Sequence, residues 1–156
     1  MEIRCYRPDD EQAVIRLWER CGLIRPWNDP RKDIERKLSE QPELFLVGQH
    51  GDEVIATAMA GFDGHRGWVY YLAVAPEQRG KSHGRQLMQA VERLLLARGC
   101  PKLNLQVRAS NQDVLAFYRK LGYVQDDVVS LGRRLVENYG RASIYQAFQG
   151  GFRCEA

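Results

Sequence analysis

A chain of 156 residues is long enough for one domain with its own hydrophobic core and leaves little for a second. It is 44% hydrophobic and 28% charged, as in ordinary globular proteins, and no apolar run approaches the ~20 residues of a membrane span. The formal net charge of +3, with Lys and Arg dispersed along the chain, argues against nucleic-acid and membrane partners.

The elements follow in chain order. Ile3 to Arg7 reads as a short strand, and Pro8-Asp9-Asp10 opens a helix with Val14, Ile15, Leu17, Trp18 and Cys21 at helical spacing. Gly22 stops it. Arg25 to Pro30 is a loop in which Asn28 or Asp29 can cap a second helix, with Pro30 in its first turn and Ile34 and Leu38 on its apolar stripe. Leu44–Gln49, Val54–Phe62 and Trp68–Ala75 read as three strands, separated by turn signals at His50–Glu53 and Asp63–Gly67. Strands so closely spaced form an antiparallel meander. A strong helix over Gly84–Arg98 carries Leu87, Met88, Val91, Leu94 and Leu95 on one side and ends at Gly99, with Pro101 just beyond. Lys102–Val107 alternates as a strand, Asn111–Leu121 is helical, and Tyr123–Gln125 and Val128–Leu135 are expected as final strands. The order β-α-α-β-β-β-α-β-α-β-β gives an α/β (α+β) domain over residues 1–137. Residues 138–156 read as a C-terminal extension of different character, with Ile144, Tyr145 and Phe148 as its apolar residues.

Met1 to Arg7 lacks a signal-peptide layout, so a cytoplasmic location is the default expectation. Cys5, Cys21, Cys100 and Cys154 form no C-x-x-C pair, and His50, His65 and His83 share no metal-ligand spacing. Most of the cysteines read as small buried hydrophobes, and no metal is expected.

The stretch "EQRGKSHGRQL", Glu77 to Leu87, stands apart. It joins the most apolar strand to the strongest helix, with Gly80, Ser82 and Gly84 at alternate positions among Arg79, Lys81 and Arg85. A glycine-rich turn feeding a helix N-terminus leaves backbone N–H groups uncovered at the positive end of the helix dipole, an arrangement that favours anions. The Walker spacing is absent, and the antiparallel meander is not the βαβ unit that a dinucleotide fingerprint needs. A tight turn bearing surface charges is the bland alternative.

"LAVAPEQRGKSHGRQLM" resembles motif A of the GNAT superfamily, the Gcn5-related N-acetyltransferases, with Arg/Gln-x-x-Gly-x-Gly/Ala falling on Arg79 to Gly84. "NQDVLAFYRKLGYV", Asn111 to Val124, resembles the second signature of that family, one helix and one strand further on. "LWERCGLIRPWNDP" and "FDGHRG" look like the bacterial YpeA group within it. Ser82 stands where the family has a middle glycine, and Val114 where it usually has alanine.

The resemblance implies the GNAT fold, a mixed, mostly antiparallel sheet flanked by helices, and acetyl-CoA as co-substrate. In such proteins the strand before motif A is splayed from its neighbour by a β-bulge. Carried over, the backbone of Leu72, Ala73 and Val74 would meet the pantetheine arm. The N–H groups of Arg79, Gly80, Lys81, Ser82, His83, Gly84 and Arg85 would hold the pyrophosphate. Asn111 would contact the coenzyme, cap its helix, or both. Tyr118 would protonate the leaving thiolate as general acid; on its own it reads better as a core aromatic whose hydroxyl reaches solvent. The implied reaction is direct acetyl transfer to an amine, of a small molecule or a protein, with no acyl-enzyme. A non-catalytic acyl-CoA sensor is the alternative, and a homodimer is left open. Asp29, Glu35, Asp63 and His65 are candidate bases, and Trp27, Trp68 and Tyr70 candidate walls of the acceptor pocket.

Overall fold

The computed structural model describes residues 1–136. The extension expected from residue 138 onward, with Cys154, therefore lies outside the described residues.

Strand β1 (Glu2–Cys5) leads through a 3₁₀ turn at Pro8–Asp10 into helix α1 (Glu11–Arg20). The buried Asp10 carboxylate ties this entry together: it accepts both guanidinium nitrogens of Arg4 at 2.7 and 2.8 Å and the Arg7 N–H at 2.8 Å. Gly22, at φ 66°, turns the chain out of α1. Helix α2 (Pro30–Ser39) is capped by Asp29, whose Oδ1 accepts the N–H groups of Arg31 at 3.0 Å and Lys32 at 3.4 Å. Strands β2 (Phe45–His50), β3 (Glu53–Phe62) and β4 (Gly67–Val74) follow, then α3 (His83–Leu96), β5 (Leu103–Leu105) and α4 (Gln112–Lys120).

The sheet order is β1-β2-β3-β4-β5; the first three pairings are antiparallel and β4–β5 is parallel. The expected meander is present as β2–β3–β4. The crossover through α3 supplies the parallel pair, as a parallel connection requires. Helix α1 covers one face: Trp18, fully buried, stacks on Phe45 and Tyr71 with ring centroids 6.1 and 3.9 Å apart. Helix α3 covers the other, burying Leu87, Met88, Val91 and Leu95. Burial of such side chains is worth about 1.5–3 kcal/mol each, so this two-sided core is the main source of stability. Gly67 belongs to the α3 face, where a Cβ would come within 2.8 Å of Cys100 Sγ and 2.9 Å of Leu95 Cδ1.

The last two expected strands are absent among the described residues. Tyr123–Gln125 and Val128–Leu135 run without a ladder, and Val124, Val128, Val129, Leu131 and Leu135 are exposed. Their β-branched composition favours extended chain, yet a strand exists only where a partner's edge accepts it. Here the segment is held beside β5 by side chains: Lys102 Nζ donates to both Asp126 carboxylate oxygens at 2.8 and 2.7 Å, and Gln106 donates to Ser130. Strand β5 is also shorter than the expected Lys102–Val107.

Candidate functional site

Pairing between β4 and β5 is confined to Gly67↔Leu103, Trp68↔Asn104 and Val69↔Leu105. From Tyr70 to Val74 the strand keeps β3 on one side and has no ladder on the other among the described residues. That divergence is a splay of the kind the resemblance implies, and Leu72, Ala73 and Val74 lie along it. The divergence coincides with a break in register: between the pairs Met59↔Tyr70 and Thr57↔Ala73, Ala58 alone faces both Tyr71 and Leu72. One extra residue in one strand is a β-bulge, which bends that strand and leaves the extra residue unpaired. Tyr71 sits in it at φ 50°.

Beyond β4 a 3₁₀ turn at Pro76–Gln78 leads to Gly80 at φ 76° and Ser82 at φ 63° before α3 begins at His83. The first helical backbone bond is Gln86 N–H to Ser82 C=O. The six N–H groups from Gly80 to Arg85 therefore donate to nothing among the described residues. A curved run of free N–H groups at the start of a fourteen-residue helix is an anion cradle by geometry and by dipole. Arg79, which the motif also implicated, is placed differently. Its N–H is spent on Pro76 C=O at 3.3 Å, and its Nε donates to Val74 C=O at 3.2 Å. Cys21 Sγ donates to that same carbonyl at 3.4 Å, linking the end of α1 to the end of β4. Lys81 and Arg85 are exposed, and Lys81 Nζ donates to Gln78 Oε1. His83 opens the helix with its Nδ1 buried and unpartnered among the described residues.

Gly84 has a packing reason besides access to a ligand. Its φ is not positive, and a Cβ there would lie 3.1 Å from Phe117 Cζ and 3.8 Å from Val74 Cγ2. The missing side chain thus lets α4 approach the first turn of α3, and it brings the second signature against the first. Asn111 is the N-cap of α4; its Oδ1 accepts the Val114 N–H at 3.4 Å. Tyr118, 7% exposed, packs edge-on against Phe117 and Tyr123 at centroid distances of 5.1 and 5.5 Å. Burial alone pushes its phenol up to about 12, so the hydroxyl carries its proton throughout the neutral range. That hydroxyl has no hydrogen-bond partner among the described residues, and Tyr118 lines a cavity of 1290 Å³ shared with Trp68, Leu105, Gln106, Val107 and Ser130.

Two of the candidate bases are already engaged. Asp29 caps α2, and the Asp63 carboxylate accepts the N–H groups of Arg66 at 2.7 Å and His65 at 2.8 Å, which hold it below the usual carboxylate range. Glu35 and His65 are exposed. Of the three aromatics expected at the acceptor side, Tyr70 and Trp27 are exposed and Trp68 half-buried, so the core tryptophan is Trp18. Thr57, Tyr71, Asp33 and Phe117 were not singled out by sequence. Only Phe117 had a sequence signal, its place beside Tyr118 in the second motif.

The profile of the acetyltransferase (GNAT) family matches residues 12–123. Acetyltransferase SG1711 of Sodalis glossinidius is 54% identical over 139 residues, 88% of this chain and 98% of that protein. Acetyltransferase ECA0875 of Pectobacterium atrosepticum is 52% identical over 138 residues, again 88% of this chain and 98% of its own length. Among solved structures, the PaiA N-acetyltransferase of Thermoplasma acidophilum in complex with coenzyme A superposes with a TM-score of 0.70 at 20% identity, over 82% of this chain and 92% of that one.

Proposed function

The chain belongs to the GNAT acetyltransferase family, and on that premise we propose that it moves the acetyl group of acetyl-CoA directly to an amine, with no covalent acyl-enzyme. The observation that carries the reading is the free N–H run from Gly80 to Arg85, set at the end of the open β4 edge. A pyrophosphate in that cradle directs the pantetheine arm along Leu72, Ala73 and Val74, into the splay between β4 and β5. A solved structure of the same fold, the Thermoplasma acidophilum protein, is a complex with coenzyme A. The acceptor amine approaches from the cavity and the exposed aromatic side. We also assign the enzyme to the cytoplasm; among the described residues no helix is long and apolar enough to cross a membrane.

In the reaction the neutral amine nitrogen attacks the thioester carbonyl carbon. A C–N bond forms and the C–S bond breaks. The departing thiolate takes the phenolic proton of Tyr118, and the amine nitrogen passes its own proton to solvent water, from which the Tyr118 phenolate is reprotonated. Burial of Tyr118 suits a donor: the hydroxyl stays protonated, and a desolvated phenol partnered by no carboxylate among the described residues is free to turn to sulfur. An alkyl ammonium, with its pKa near ~10.4, must first deprotonate, so activity rises with pH toward that value. The splay also orients the thioester, and orientation supplies much of the rate in such two-substrate transfers.

The test is Tyr118→Phe, assayed by thiol release with any amine that turns over. The expected result is a fall in kcat of ~10²-fold or more, with acetyl-CoA affinity and melting temperature close to wild type. Because burial holds the phenol near 12, wild-type activity should show no alkaline fall from this group below about pH 11. Full kcat in the variant would remove the assignment. Loss of folding together with activity would make Tyr118 a core residue.

A further inference from the structure

Tyr71 is a bulky side chain in the left-handed region, at φ 50°, in the middle of a strand. Such a conformation persists only where its surroundings over-determine it. Three ties from three elements do so. The fully buried Thr57 of β3 donates its hydroxyl proton to Tyr71 C=O at 2.9 Å. The same oxygen accepts Trp18 Nε1–H of α1 at 2.9 Å, so its donor and one acceptor site are both in use. The Trp18 ring lies on the Tyr71 ring at 3.9 Å and 20°. At the far end of the side chain, the Tyr71 hydroxyl donates to Asp33 Oδ2 of α2 at 2.5 Å, and Asp33 is paired in turn with Arg36. Carbonyl, ring face and hydroxyl of one bulge residue are thus each held, and the strand separates from β5 at this point.

We infer that Thr57, backed by Trp18, is a positioning residue for acetyl transfer: it fixes the Tyr71 bulge and so sets the β4 edge that receives the pantetheine arm. This rests on the coenzyme reading above. The clamp acts on Leu72 to Val74, whereas the free N–H groups from Gly80 to Arg85 are arranged separately by the start of α3. Losing the clamp should therefore weaken the pantetheine arm and spare the nucleotide end. A residue of general structural importance would weaken both alike.

The experiment uses the full chain and two ligands, acetyl-CoA and 3′-phospho-ADP, which carries the pyrophosphate and no pantetheine. Thr57→Val exchanges the hydroxyl for a methyl of similar volume. Calorimetric titration should show acetyl-CoA binding at least tenfold weaker and 3′-phospho-ADP binding within twofold of wild type, with the KM for acetyl-CoA raised. Thr57→Ser restores the hydroxyl and should recover both. If Thr57→Val does not fold, Tyr71→Phe, which keeps the ring stack and removes the hydroxyl with its ties to Asp33 and Asn28, should show the same selective loss at a few fold. Unchanged acetyl-CoA affinity in the folded variant, or equal loss of both ligands, overturns the positioning role while the coenzyme site stands. Wild-type protein that binds neither ligand overturns the coenzyme site and the clamp's role with it.

Discussion

Ser82 offers a sharp test of how the anion loop is built. It stands at φ 63° and ψ 9° at the N-cap of α3, and its side chain makes no capping hydrogen bond. The left-handed region costs an L-residue roughly 1–2 kcal/mol, because Cβ crowds the following carbonyl. Glycine avoids that cost but loses about 0.5–1 kcal/mol more backbone entropy on folding. No side-chain contact offsets the difference, since Ser82 is exposed and uncapped. The balance makes Ser82→Gly more stable by about 0.5–1 kcal/mol, a rise in Tm of roughly 1–4 °C for a chain of this size. Ser82→Ala keeps the crowding Cβ and should melt at or below wild type. Calorimetric melting of the three proteins at one pH and salt concentration decides the matter. Ser82→Gly melting lower than wild type while Ser82→Ala melts higher would refute the strain argument. The backbone N–H survives both changes, so acetyl-CoA affinity in Ser82→Gly should hold or tighten, read by titration of the same samples.

Gly67→Ala places a Cβ against Cys100 and Leu95 at under 3 Å; overpacking of this kind costs about 1–3 kcal/mol, so the variant should melt several degrees lower while its anion loop still binds 3′-phospho-ADP. The Asp10 carboxyl is held below the usual range by its hydrogen bonds from Arg4 and, more weakly, the Arg7 N–H. A depressed folded-state pKa stabilises above the unfolded value of ~3.9 and ceases to do so as pH falls through the folded value, so wild-type stability should drop steeply below about pH 4. Asp10→Asn should lose about 1.5–3 kcal/mol at pH 7 and flatten that acid limb, measured by urea unfolding across pH; an equally steep limb in the variant would show that other carboxylates carry it.

Much of the fold is legible in the chain because its signals are local. Pro30 after Asp29, Gly99 before Pro101 and the apolar spacing of α1 and α3 each state a helix and its end within a few residues, and the structure places those elements within two or three residues of the expected positions. The β2–β3–β4 meander follows in the same way from two short turns. The segment from Tyr123 to Leu135 fails for the opposite reason. Its residues state a willingness to be extended, but pairing depends on what the edge of β5 offers, and β5 is three residues long. Local propensity carries no information about a partner's length.

The site divides along the same line. Gly80, Ser82 and the start of α3 are spelled out by residue type, so the free N–H run could be expected from the chain. The family resemblance implies a bulge in this strand, but the residue that forms it could not be read from the chain. Nothing in "GWVYYLAV" distinguishes Tyr71 from Tyr70, because the positive φ is imposed by Thr57, Trp18 and Asp33, which lie 14, 53 and 38 residues away in sequence. The described residues include three non-glycine residues with positive φ, and two of them, Tyr71 and Ser82, bracket the strand edge and loop assigned to the coenzyme. The third, Gln41, is tied by its side-chain amide to both backbone groups of Phe62 at 2.7 and 2.9 Å. A chain under no functional demand would place glycine at such positions, since each costs of order 1–3 kcal/mol elsewhere in the structure. Tyrosine at one end of the segment supplies the ring and hydroxyl by which the bulge is gripped. Serine at the other supplies no such grip, which is why relief of strain should be nearly free at Ser82 and should disturb coenzyme binding at Tyr71.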